Sequence, residues 1–101
     1  MTNILVIDED KICRNNVKYQ LCDKGYYVTS LEYLDEARDS EHKYDLVLME
    51  NCESLNQYYI EELKKYFNCS VIIMSKALCA DDIIKCMKSG ADDFIGSLTL
   101  S

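Results

Sequence analysis

The apolar residues of this chain follow two rhythms. Residues 3–8, 45–50 and 70–74 hold unbroken runs, Ile4-Leu5-Val6-Ile7, Leu46-Val47-Leu48-Met49 and Val71-Ile72-Ile73-Met74. A run with no polar alternation suits a strand covered on both faces. Tyr26 to Thr29 and Asp93 to Gly96 read as two shorter strands. Between the strands the spacing turns helical. Cys13, Val17 and Leu21 share a face over residues 11–24, and Leu31, Leu34 and Ala37 give a modest signal over 31–41. Tyr59, Leu63 and Phe67 do the same over 54–67, and the pattern over 80–89 places Ile83, Ile84 and Met87 inward. Asp10 stands where it can cap the first helix. Gly25, after Lys24, and Gly90 stand where glycine commonly ends a helix.

Strands and helices alternate along the 101-residue chain without a final helix, and there is no proline and no repeat. That order predicts one α/β domain over residues 1–101, built on a doubly wound parallel sheet. With 49% apolar and 29% charged residues the composition is ordinary for a globular chain.

Charge and cysteine narrow the function. The net charge of −7 repels a phosphate backbone, so direct nucleic-acid binding by this chain is not expected. The N-terminus has no basic leader and apolar core ahead of a cleavage site, and no apolar run reaches membrane-spanning length. A cytoplasmic protein with no membrane contact is expected, its thiols reduced. The six cysteines, Cys13, Cys22, Cys52, Cys69, Cys79 and Cys86, show no Cys-x-x-Cys spacing, and His42 is the single histidine. That is poor material for a zinc site. The cysteines are expected to act as small buried apolar residues.

In a parallel sheet with right-handed crossovers, ligands sit outside the carboxyl ends of the strands. There the sequence places Asp8-Glu9-Asp10, Glu50, Ser75-Lys76 and, near the fifth strand, Ser97. Asp8, Glu9 and Glu50 would converge on one crevice. Gathered carboxylates repel one another unless a cation lies between them, and hard oxygen ligands suit Mg²⁺. Alternatively, Asp8 and Asp10 only cap the first helix while Glu50 is solvated; spacing leaves both readings open. The first loop, Asp-Glu-Asp-Lys, has no glycine, so it makes a poor anion cradle for a flavin or nucleotide.

Four segments together resemble the receiver domains of two-component response regulators. They are Ile4-Leu5-Val6-Ile7-Asp8-Glu9-Asp10, Asp45-Leu46-Val47-Leu48-Met49-Glu50, Val71-Ile72-Ile73-Met74-Ser75 and Gly90-Ala91-Asp92-Asp93-Phe94. The resemblance spans nearly the whole chain and implies a flavodoxin-like sheet of order 2-1-3-4-5. It also implies an acidic pair binding Mg²⁺, here Asp8 and Glu9, and an acceptor position ending the third strand, here Glu50. The backbone carbonyl at Cys52 would be a further metal ligand. Ser75 would contact the phosphoryl group, and Phe94 would change rotamer with the switch; Phe94 reads equally as a static core aromatic, and Ser75 as a plain loop hydroxyl. The family's last helix has no counterpart before Ser101. Its absence would leave an apolar patch by Ile95 and the first helix, filled by a dimer mate or by sequence beyond this chain.

Two positions depart from the family. Glu50 replaces the acceptor Asp, and Ser97 stands where the family has Lys; Leu98 replaces the following Pro, and Glu53-Ser54 the common Met-Pro turn. Glutamate pushes its oxygen outward by roughly an ångström, a misplacement that can cost about 100-fold in rate. Loss of a fixed cation at the developing charge costs about another 100-fold. Lys76 could reach Glu50 and replace that cation, or it points to solvent, where an exposed pair contributes about 0–1 kcal/mol.

The expectation is therefore an atypical receiver, not an enzyme, not conventionally phosphorylated, and acting through protein–protein contacts. Its partners would be an output domain, plausibly transcriptional, or another protein, with a histidine kinase and a second copy as further candidates. The alternative is a working phosphoacceptor at Glu50 or a neighbouring acid.

Overall fold

The computed structural model describes residues 2–33, 36, 43–50, 57–75 and 79–96. Its elements are β1 (Asn3–Ile7), α1 (Lys11–Asp23), β2 (Tyr27–Leu31), β3 (Leu46–Glu50), α2 (Gln57–Phe67), β4 (Ser70–Ser75), α3 (Ala80–Lys88) and β5 (Asp93–Gly96). The five strands pair in parallel in the order β2-β1-β3-β4-β5. This is the flavodoxin-like sheet expected from the sequence. Leu31 ends β2 instead of opening the helix predicted over 31–41, because it continues the pairing with β1. Most of the rest of that predicted helix lies outside the described residues, as do residues 51–56, the first three of the helix predicted over 54–67 among them.

The unbroken apolar runs become strands because both faces are covered. On one face Leu5, Ile7, Val47, Met49, Val71 and Ile73 pack with Ile60 and Leu63 of α2 and Cys86 of α3. On the other, Ile4, Val6, Leu48 and Met74 pack against Val17 of α1. Full burial of one such aliphatic side chain contributes about 1.5–3 kcal/mol. The face carrying α1 is thinner: Ile72 and Ile95, toward the β5 edge, are only partly buried.

Local signals set the ends of the elements. The Asp10 carboxylate accepts the backbone N–H groups of Ile12 (2.9 Å) and Cys13 (3.2 Å), so it caps α1. Gly25, at φ +94°, carries the chain out of α1 in a conformation that L side chains rarely adopt. Tyr26 donates its N–H to the Leu21 carbonyl at 3.3 Å and so belongs to that turn. For this reason β2 starts one residue later than the pattern suggested.

The inward face of α3 differs from the expectation. Ile84 is 51% exposed and Met87 44%, whereas Cys86 is buried and Ile83 half-buried. Buried Ser89 follows Cys86 by one turn and donates its hydroxyl to the Lys85 carbonyl at 2.8 Å. Small side chains occupy this contact, and the bulkier ones are left outside. The cysteines also divide: Cys13 and Cys86 are buried and Cys69 is half-buried, but Cys22 and Cys79 are exposed. The expectation of buried apolar cysteines holds for the first pair and fails for the last; Cys52 lies outside the described residues.

Two aspartates fasten the amino ends of the strands. Asp45 accepts the Asn3 N–H at 2.8 Å and returns its own N–H to the Asn3 carbonyl at 2.8 Å. Asp92 accepts the Val71 N–H at 2.7 Å and donates its N–H to the Val71 carbonyl at 2.8 Å. Lys64 of α2 reaches the same Asp92 oxygen at 2.7 Å.

Candidate functional site

The opposite ends of the strands carry the predicted acids. β1 and β3 run in register with Ile7 beside Met49, so Asp8 and Glu50 follow at neighbouring strand ends. By alternation they fall on the sheet face of Val6 and Leu48. Asp8 is 4% exposed and Glu50 half-buried. Asp8 Oδ1 accepts the Asp10 N–H at 2.9 Å, which bends the chain from β1 into the cap of α1. Asp8 therefore shapes the loop and also lines the crevice; the capping role belongs to Asp10. Glu9 is exposed.

Ser75 is buried at the end of β4, beside Gly96 of β5 and one residue past Met74, the partner of Glu50. Phe94, on β5, packs against the core on the α2 and α3 side. Cys52, Lys76 and Ser97 lie outside the described residues.

One site residue was missed in the sequence. Arg14 donates from Nη1 to the backbone carbonyl of Asp8 at 2.7 Å, which brings a guanidinium to the acidic rim. The signal was faint. A basic side chain in the opening turns of a helix opposes the helix dipole, which marks Arg14 only weakly. Farther along the rim the potential is negative. Glu32 beside Tyr33 raises the tyrosine hydroxyl above its ordinary range, by charge and then by hydrogen bonding, with slight burial, Glu9 and Glu36 adding to it.

The donor chemistry suits a hard cation, since Asp8 and Glu50 each place one buried carboxylate oxygen here. Among the described residues no group of three or more His, Cys, Asp or Glu gathers to hold a metal. A cation would therefore rest on few protein ligands and keep much of its water, as Mg²⁺ commonly does.

No family model and no curated protein matches the sequence. Solved structures do. A response regulator from Thermotoga maritima superposes with a TM-score of 0.87 at 27% identity, over 97% of this chain and 86% of that one. A response regulator receiver domain protein from Clostridium thermocellum gives 0.81 at 25%, over 97% and 83%. The chain has the receiver fold. A response regulator from Burkholderia pseudomallei, carrying a phosphorylated aspartic acid, a calcium ion and citrate, gives 0.85 at 18% identity, over 97% of this chain and 61% of that one. Against this receiver fold, the third-strand end of the present chain holds Glu50. No described helix is long and apolar enough to cross a membrane.

Proposed function

We propose that this chain is a receiver-type signalling module of a two-component system whose conformation is read by a protein partner. The carrying observation is the register of β1 and β3, which sets buried Asp8 beside Glu50 at the site edge of a receiver fold. Asp8 and Glu50 are the described residues that would hold Mg²⁺; of the other ligands the resemblance implied, Glu9 is exposed and Cys52 lies outside the described residues. When bound, the ion would neutralise the carboxylates. Glu50 supplies a carboxylate one methylene longer than aspartate, and Ser97 supplies no cation. In this reading the residues bind and orient, with no turnover of substrate and no conventional phosphorylation. The partner in this reading is an output region, such as a transcriptional one, or a separate cytoplasmic protein; a histidine kinase would be the upstream partner only of a working phosphoacceptor.

The test is incubation with a small acyl phosphate and Mg²⁺, followed by intact-mass analysis. The native chain should remain unmodified. The double variant Glu50→Asp with Ser97→Lys should gain one phosphoryl group at a rate up to roughly 10⁴-fold higher, from two factors of about 100. Stable acyl phosphate at Glu50 of the native chain would overturn this reading in favour of a working phosphoacceptor.

A further inference from the structure

Edge strands are normally guarded by charge, proline, a bulge or extreme shortness, because their open backbone groups template pairing with other chains. Among the described strands β2 is an edge strand, and within it charge, proline and a bulge are all missing. It is five residues long, its register with β1 is continuous, and Tyr26 to Leu31 holds no charged residue and no proline in a chain that is 29% charged. Tyr27 is 62% exposed and Thr29 is exposed.

The hydrogen-bond phase identifies the open groups. Tyr27 donates its N–H to the Thr2 carbonyl at 3.1 Å, and the Leu31 carbonyl accepts the Asp8 N–H at 3.1 Å. In a parallel ladder alternate residues face the same neighbour. Tyr27, Thr29 and Leu31 therefore bond β1, while Val28 and Ser30 turn both N–H and C=O outward. Among the described strands β2 has no second neighbour.

We infer that β2 pairs antiparallel with β2 of a second copy about a two-fold axis through Thr29. In that register Val28 of each copy faces Ser30 of the other, and all the outward groups of these residues bond in two closely spaced pairs. Thr29 meets Thr29 in the non-bonded pair on the axis, where side chains approach most closely. Tyr27 lies over Leu31 of the second copy, an aromatic–aliphatic cross-strand pair. Glu32 falls opposite Tyr26, so no like charges directly oppose along the seam. A strand that is complementary to itself, with no charge to select another partner, favours a second copy over a foreign peptide. The two five-stranded sheets become one. Their strands run in opposite senses, so the two acidic rims open on opposite sides and both stay accessible. This inference stands independently of the signalling role.

Association should be weak, because a single strand pair makes a small interface. It should strengthen with salt, which screens repulsion between two chains of net charge −7. Sedimentation of the full chain over a concentration series should show a monomer–dimer equilibrium. Thr29→Lys sets two ammonium groups face to face and should raise the dissociation constant roughly tenfold or more, since 1.4 kcal/mol is one decade. Residue-resolved amide exchange of the native chain checks the surface and does not depend on the variant's folding: Val28 and Ser30 should slow as concentration rises. A chain that stays monomeric to about 1 mM, or a dimer in which those two amides exchange as in the monomer, would overturn the inference.

Discussion

Asp92 offers the sharpest test of how this fold is held. Its carboxylate meets two donors, the N–H of Val71, a residue with no exposure, and the ammonium of Lys64, each at 2.7 Å. Replacement by Ala strands the buried N–H, at a cost of about 1–3 kcal/mol. It also removes an ion pair whose side chains are 34% and 43% exposed, worth about 0–1 kcal/mol. The expected loss for Asp92→Ala is about 2–3 kcal/mol, which lowers Tm by roughly 10–20 °C in a domain of this size. Asp92→Asn keeps an acceptor for Val71 and should cost about 1 kcal/mol or less, as should Lys64→Met. Urea unfolding of the three variants measures all of this. Lys64 beside Asp92, and then the Val71 N–H, hold the carboxyl below its ordinary 3.8. The stabilisation is therefore fully present above that value and fades as pH falls through the lower folded one. Asp92→Asn should flatten this part of the acid limb. If Asn proves as costly as Ala, or if Lys64→Met costs more than Asp92→Ala, the N–H account is wrong.

Two further outcomes are expected. Arg14→Met removes the guanidinium at the Asp8 carbonyl and should tighten Mg²⁺ binding a few-fold, on the order of one Coulomb term across several ångströms of wet surface; unchanged or weaker binding in a fluorescence titration would remove Arg14 from the site. Alkylation followed by mass spectrometry should modify exposed Cys22 and Cys79 first and spare Cys13 and Cys86, burial having raised the Cys86 thiol; early labelling of Cys86 would count against the packing of α3.

The strands were legible because a parallel sheet buries both faces, so hydrophobicity alone marks Ile4–Ile7 and Val71–Met74. The α1 face was equally plain, since Val17 and Cys13 are buried where the spacing put them. α3 was misread for a geometric reason. Two isoleucines and a methionine suggest the core, yet only Ile83 is partly covered, and the fully buried positions are the smaller Cys86 and Ser89. In the site, Asp8, Glu50 and Ser75 were visible as acids and a hydroxyl at strand ends. Arg14 was not, because its role depends on a side chain folding back to a carbonyl six residues earlier. No spacing rule encodes that.

The fastening carboxylates of Asp45 and Asp92 sit at one end of the strands, and the acids of the crevice at the other. A strand such as β3, with five residues, separates them by about 16 Å. That is about twice the distance over which physiological salt lets surface charges sense each other. Exchange of a reactive group at the upper end therefore hardly loads the clamps below. A change of side chain at Glu50 reaches the clamps at Asp45 and Asp92 only weakly, and the two ends of the sheet can be altered one at a time.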